Sequence, residues 1–186
     1  MERTSHSGKT NQQGIYEGSF LKNAAKNTKE FFKNKFKDIK KSAKAIVKNF
    51  TKKYGSSKKR SNFKPGKMLQ FNYRAKDANK RYDKNPLIIV LGPPKNKQLR
   101  HTHVLGLNLH WLPMKSRVSV ASFFVELNKK RNNQLRYDDI KPFVNKFAGH
   151  PVLRMYIIQN ISQKVVELPE DMFMTAASVP SERWSS

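Results

Sequence analysis

The chain has 186 residues, enough for one domain with an extension, and it carries a formal net charge of +25 at pH 7. It contains no cysteine, which excludes disulfides, thiol nucleophiles and cysteine-ligated metal sites. Such a positive field favours nucleic acid or an anionic membrane surface as a partner. The charge is uneven: residues 1–67 hold 19 Lys and Arg against 4 Asp and Glu, whereas residues 68–186 hold 19 against 9.

The first segment, residues 1–19, is predicted to be a disordered tail. Residues 1–14 are rich in Ser, Thr, Gln and Gly, a composition that cannot bury enough apolar surface to fold. They also contain no signal-peptide hydrophobic core. No apolar run in the chain reaches the roughly 20 residues that span a bilayer. We therefore expect a soluble protein that is not secreted through a signal peptide.

Residues 20–54 are predicted to form one long basic amphipathic helix, because Lys and Ala favour helix and no Pro or Gly interrupts them. Apolar residues recur at alternating steps of four and three. This seam consists of Phe32, Phe36, Ile39, Ala43, Ile46 and Phe50. A helix of this kind needs an apolar partner for its stripe, so the seam predicts a protein interface. The predicted partner-binding residues are Phe32, Phe36, Ile39, Ile46 and Phe50.

The other faces of this helix carry twelve lysines, with only Glu30 and Asp38 against them. An ordinary solvated face carries both signs of charge, so this pattern predicts contact with DNA phosphates. Lysine lacks the bidentate fork that reads guanine, and binding should be sequence-neutral. The predicted nucleic-acid-binding residues are Lys22, Lys26, Lys29, Lys33, Lys37, Lys40, Lys41, Lys44, Lys48, Lys52, Lys53, Lys58, Lys59 and Arg60.

Two other readings of the helix stay open. It could be a solvated helix that packs on its own domain or on a partner. It could also lie on an anionic membrane, although its apolar seam contains no tryptophan, the residue that favours a membrane interface. We favour DNA contact and expect no membrane partner.

The helical pattern ends at Gly55-Ser56-Ser57, and residues 55–66 are predicted to be a flexible basic linker that runs to Pro65-Gly66. A compact body then extends over residues 67–186. Strands are indicated by alternating apolar residues near 69–73 and by a β-branched run at 87–91.

A third strand is predicted over residues 103–111, with Leu105, Leu107, Leu109 and Trp111 on one core-facing side. Residues 152–158 fit either a strand or a short buried helix, and residues 165–168 indicate a last strand. Short helices are predicted near residues 118–127 and 140–148. Together these elements indicate an α+β fold: a small SH3-like β-barrel body with short helices, preceded by the long basic helical arm.

The sequence shows no catalytic constellation. His101 and His103 stand two apart on a strand, but no further Cys, Glu or Asp lies beside them to complete a tetrahedral metal site. Gly92-Pro93-Pro94-Lys95 lacks the second glycine and the Lys-Ser/Thr ending of a phosphate loop. Asp138-Asp139 is interpreted as a helix cap. We predict no enzyme activity, no metal and no cofactor.

Several polar and aromatic residues of the body are predicted to be structural. His110 is expected to close the third strand as a hydrogen-bonded residue, and Asp83 to form a surface pair with Arg81 or Arg74. Five aromatic residues could stack unpaired bases, but aromatics at strand spacing more often belong to a core. These five are Tyr73, Tyr82, Trp111, Tyr137 and Tyr156.

Several segments of the body follow one another in a recognisable order: Tyr82-Asp83, the strand from Pro86 to Leu91, Gly106-Leu107-Asn108-Leu109-His110-Trp111-Leu112-Pro113, Arg117, Arg154-Met155-Tyr156, Val165 to Leu168, Pro169-Glu170-Asp171 and Pro180-Ser181-Glu182-Arg183-Trp184. In these segments the body resembles virion proteins of T-even-type tailed phages. Trp111 stands where tyrosine is expected, which keeps the aromatic character. The resemblance covers roughly residues 66–184 and leaves the basic arm outside.

The resemblance implies a structural or DNA-end-protecting component of the phage particle. The body would then dock on capsid, portal or connector subunits, and the arm would contact packaged DNA and neighbouring subunits. The expected partners are phage structural proteins and sequence-neutral double-stranded DNA, with the protein oligomeric in the virion and in the host cytoplasm before assembly. The alternative is a soluble sequence-neutral DNA-end or single-strand DNA-binding protein of the infected cell.

Overall fold

A computed structural model describes residues 19–75, 83–132, 134–146 and 149–185. Most of the predicted tail, residues 1–18, lies outside the described residues. The helices are α1 Ser19–Asn34, α2 Phe36–Tyr54, α3 Met114–Lys130, α4 Tyr137–Lys146 and α5 Phe173–Ser178. The strands are β1 Gly55–Ser57, β2 Met68–Tyr73, β3 Leu87–Gly92, β4 His103–Asn108, β5 Leu153–Ile157 and β6 Ile161–Leu168.

The six strands form one antiparallel sheet in the order β1-β6-β2-β3-β4-β5. The central strand β3 is buried on both faces, which explains its unbroken apolar sequence. Leu87, Ile89 and Leu91 face the helices, whereas Ile88 and Val90 face a second, smaller core. The α+β prediction is confirmed.

The sheet is open but strongly curled. A three-residue 3₁₀ turn, Ile158–Asn160, connects β5 to β6, although three strands separate them in the sheet order. The curl brings the rings of Phe71 on β2 and Tyr156 on β5 to 5.5 Å between centroids. Among the described residues no ladder joins β5 to β6, so the sheet is not closed and the SH3-like barrel stays a prediction.

The predicted single helix over residues 20–54 is divided in two at Lys35, whose backbone φ of −122° is not helical. The two parts bury their apolar faces on different elements. In α1, Ala24 and Phe31 pack toward α3, where the Ser122 hydroxyl donates to the Ala24 carbonyl at 3.0 Å. In α2, the apolar face packs on β6 and α5. The absence of Pro and Gly therefore did not ensure one continuous helix.

Residues 55–66 also differ from the flexible linker that the sequence predicts. Gly55–Ser57 forms strand β1 and pairs with β6 through Gly55↔Val166. Phe63 is buried in the smaller core, and the Asn62 side chain donates to the Glu167 carboxylate at 2.7 Å. The segment is therefore an edge of the sheet and carries the chain from α2 into β2.

Two further details of the body correct or complete the sequence prediction. The third strand ends at Asn108, and Leu109–Trp111 forms a 3₁₀ turn in which Leu109 is buried but Trp111 is half-buried. Leu109 and Trp111 therefore do not continue the strand face of Leu107. The segment at 152–158, which fits a strand or a helix by sequence, contains strand β5.

Candidate nucleic-acid interface

The outer faces of α1 and α2 carry the predicted DNA-binding lysines. The side chains that the structure describes as exposed are Lys22, Lys26, Lys29, Lys33, Lys44, Lys48, Lys52 and Lys53. We call this set the lysine face. The backbones of Lys37, Lys40 and Lys41 continue it along α2, but their side chains, like that of Arg60, lie outside the described residues. The lysine face thus runs along both helices on the side away from the core.

Acidic side chains neutralise little of the lysine face. Lys26 and Glu30 stand 4.0 Å apart one turn along α1, and both side chains are more than half exposed, so the pair contributes little stability. Asp38, in the first turn of α2, is exposed. The Lys53 ammonium lies 5.2 Å from the ring centroid of Tyr54. The rest of the face presents one sign of charge to solvent.

Lys58 is placed differently from the other predicted DNA-binding residues. Its ammonium donates to the carbonyls of Ile158 at 3.0 Å and Ile161 at 2.7 Å, and so it ties β1 to the β5–β6 connection. These bonds satisfy carbonyls at the turn where the sheet curls. Lys58 is thus engaged inside the fold, whereas Lys59 is exposed.

The predicted partner-binding seam is covered by the chain itself. Ile39 and Phe50 are only 6% and 5% exposed and belong to the main core, where Phe50 stacks on Trp184 at 6.0 Å and 18°. Phe32 and Ile46 are half-buried against that core, and Phe36 meets Phe32 edge-on at 5.3 Å. The seam needs an apolar partner, as its pattern indicates, and that partner is the body of the same protein.

A polar network that the sequence did not reveal lies behind Trp184. The Asp83 carboxylate accepts from Asn108 at 3.1 Å and pairs with His110 Nδ1 at 2.7 Å. Arg81, one of the two arginines predicted to pair with it, lies outside the described residues. Burial favours a higher pKa for Asp83, but the hydrogen bonds and the charge of His110 outweigh it and lower that pKa below 3.8. His110 lies next to the Trp184 ring. The network thus links the segment before β3 to the turn after β4, where His110 contacts Trp184.

An open cleft of about 680 Å³ lies between α2 and the β1–β6–β2 edge of the sheet. Its polar lining is Thr51, Ser56, Ser57, Gln70, Asn72, Asn85, Ser162 and Lys164, and its apolar lining includes Val47, Phe71, Val165, Val166 and Trp184. The alternation of Gln70 and Asn72 with the core residues of β2 was visible in the sequence. The position of α2 opposite these strands was not visible in the sequence, and so the cleft could not be predicted.

The histidines weighed as metal ligands lie at the far edge of the sheet. The His103 ring contacts the Thr102 hydroxyl at 2.7 Å. Within the described ranges, no group of three His, Asp or Glu residues is placed to hold a metal ion. Likewise, the described helices include none that is long and apolar enough to cross a membrane.

Comparison with protein families gives a match that spans nearly the whole chain. The model of the phage T4 terminal DNA protecting protein family matches residues 4–186. The chain belongs to this family. No curated protein and no solved structure is significantly similar to it.

Membership in the terminal DNA protecting family corrects one expectation from the sequence. The resemblance to phage proteins, read over residues 66–184, left the basic helices outside the shared region. The family match begins at residue 4 and therefore includes α1 and α2. The helices that carry the lysine face are thus part of the family's own domain, in agreement with their packing into the main core.

Proposed function

We propose that this protein is a non-enzymatic virion component that holds the ends of packaged duplex DNA through the lysine face of α1 and α2. The observation that carries the proposal is the combination of a buried apolar side and an exposed lysine side on the same two helices. The buried side fixes the helices on the body. The exposed side is then a rigid row of positive charge for a phosphate backbone.

Geometry supports phosphate binding along α2 in particular. Lys44, Lys48 and Lys52 recur every four residues and therefore form a row about 6 Å from one side chain to the next. Neighbouring phosphates on one DNA strand are spaced on a similar scale. A lysine row reads charge and not base identity, so contact along it is sequence-neutral. That property suits protection of DNA ends of any sequence.

The place of the protein in the particle is also part of this proposal. We infer that the body docks on capsid, portal or connector subunits, that several copies act together in the virion, and that the chain is in the host cytoplasm before assembly. Because the seam of α2 is covered internally, this docking must use the body's own surface. The name of the family, terminal DNA protecting protein, supports a location where DNA ends are held.

The name of the family also supports a second function. A protector of DNA ends needs only DNA as a partner, so a soluble end-binding or single-strand-binding protein of the infected cell would have the same lysine face. Mass spectrometry of purified particles separates the two. Stoichiometric recovery of the chain supports the virion component, and its absence from particles that contain full-length DNA would leave the soluble binder.

The DNA contact is tested by a salt titration of duplex binding. The observed association constant should fall steeply with salt, and the triple change Lys44→Gln, Lys48→Gln and Lys52→Gln should reduce the log–log slope by about three. The matched control, Lys97→Gln with Lys115→Gln and Lys141→Gln, removes the same charge from exposed sites on other elements. Equal loss in both triple variants would show that only net charge matters and would contradict the α2 site.

A further inference from the structure

We propose that the cleft between α2 and the β1–β6–β2 edge holds the unpaired terminal nucleotides of a DNA strand. This inference rests on the proposed function. It names the site by which the protein would distinguish a DNA end from continuous duplex. The lysine face alone cannot make that distinction, because the phosphate backbone is the same at an end and inside a duplex.

The size of the cleft selects an unpaired strand. Its volume of about 680 Å³ lies within the roughly 300–1,000 Å³ range of small-ligand sites. One wall is α2, through Val47 and Thr51, and the other wall consists of polar residues from β1, β2 and β6. A base-paired duplex is too wide to enter such a site. Frayed or overhanging nucleotides fit because a single strand is narrower and flexible.

The chemistry of the lining suits nucleotides. The described structure shows no hydrogen-bond partner for the side chains of Gln70, Ser56, Ser57 and Lys164, which are therefore available to a ligand. An amide can donate to and accept from the edge of any base, and the Lys164 ammonium can bind a phosphate. Among the described lining residues there is no carboxylate to repel one.

The cleft is continuous with the lysine face. Val47 and Thr51 line it, and the next residue after each, Lys48 and Lys52, is exposed on the adjoining side of the same helix. Successive residues on an α-helix are about 100° apart, so the lysine row borders the rim of the cleft. A duplex held along the row therefore has its terminal strand next to the opening.

The test uses the full chain and three probes that share one duplex sequence. The first duplex is closed by hairpins at both ends, the second is blunt, and the third carries a short single-stranded overhang, in separate 5′ and 3′ versions. Fluorescence anisotropy should show tighter binding to an overhang than to the closed duplex. In the variant Gln70→Ala with Lys164→Gln, affinity for the overhang should fall by roughly tenfold. Affinity for the closed duplex should change by less than about twofold, because the row on α2 is intact.

A matched control carries the same changes elsewhere, Gln98→Ala with Lys97→Gln, both at exposed positions of the 3₁₀ turn before β4. It should keep the preference for overhangs. If the double variant unfolds at a lower temperature than the wild type, the single change Lys164→Glu, at an exposed position, tests the same preference for overhangs. Equal wild-type affinity for all probes, or an overhang preference that survives the cleft change, overturns this inference and leaves salt-dependent duplex binding in place. Failure to bind any probe at low salt instead overturns the proposed function.

Discussion

The two amino-terminal helices and the six-stranded sheet share one main core, but they use their charged residues differently. The body around the sheet contains short ion pairs within the fold: Lys67 lies 2.7 Å from Glu167, and Arg131 lies 2.5 Å from Asp139. On α1 and α2 the charges are almost all lysines, and the one described ion pair, between Lys26 and Glu30, is long and exposed. Charge that the fold does not use is available to an external polyanion.

The same comparison explains why the helices are not a separable arm. An independent basic helix in water would have exposed its seam or bound another protein. Here Ile39 and Phe50 are buried with the residues of the sheet and of α5. The helices therefore obtain their rigidity from the body. A row of lysines on an ordered backbone loses less backbone entropy on binding DNA than a flexible tail does.

The largest expected effect tests whether the two regions fold together. Phe50→Ala should lower the free energy of unfolding by about 3–5 kcal/mol, because it removes a buried ring and its stack on Trp184. Chemical denaturation followed by both far-UV circular dichroism and tryptophan fluorescence should show one coincident transition. Phe36→Ala, at a half-buried site, is the control and should cost less. Two separate transitions would mean that the helices are an independent unit after all.

An intermediate effect is expected in the body. Asp83→Asn should destabilise the protein by about 1–3 kcal/mol at neutral pH, because a partly buried carboxylate that accepts from Asn108 and His110 becomes an amide. The pKa of Asp83 is lowered in the folded state, so its contribution is full above 3.8 and is lost as the pH falls through the folded pKa.

The comparison of wild type and Asp83→Asn across pH therefore has a defined sign. The difference in the free energy of unfolding should shrink as the pH falls below about 4. Affinity for the hairpin-closed duplex at neutral pH should be unchanged in molecules that are folded, because no residue of the network belongs to the lysine face. A difference that grows on acidification would show that the pairing does not lower the pKa of Asp83.

The smallest expected effect separates stability from binding on the helices. Lys44, Lys48 and Lys52 are like charges at i,i+4 spacing, and each such pair costs about 0.2–0.5 kcal/mol. Lys48→Gln removes two of these repulsions and should raise stability by a few tenths of a kcal/mol while it weakens duplex binding. Thermal melting and anisotropy on the same sample measure the two. A loss of stability would indicate that Lys48 has a role in the fold.

Local patterns predicted the elements of the body well. The strand at 87–91 was predicted because its apolar run lies between Pro86 and Gly92, and a last strand was predicted at 165–168; the structure contains both. Predictions from local patterns were wrong where the backbone geometry changes without a change in composition. The helix breaks at Lys35 in a sequence with no helix breaker, and the third strand becomes a 3₁₀ turn at Leu109.

The candidate site was predictable in part. Exposure of the lysine face followed from helical periodicity alone, since apolar and basic residues occupy different sides of the same turns. The internal role of Lys58 was not predictable, because its carbonyl partners are about a hundred residues away in the chain. The same holds for the cleft, whose walls come from α2 and from strands that are distant in sequence.

The sequence by itself determined that this protein has an excess of positive charge on amphipathic helices, an apolar stripe that must be covered, and a mixed body of strands and helices. Only the tertiary structure decided that the body itself covers the stripe, that Asp83 pairs with His110, and that α2 faces the sheet across a polar cleft. The physical reason is that periodicity specifies which side of an element must leave water, whereas the partner for that side is chosen by packing between distant segments.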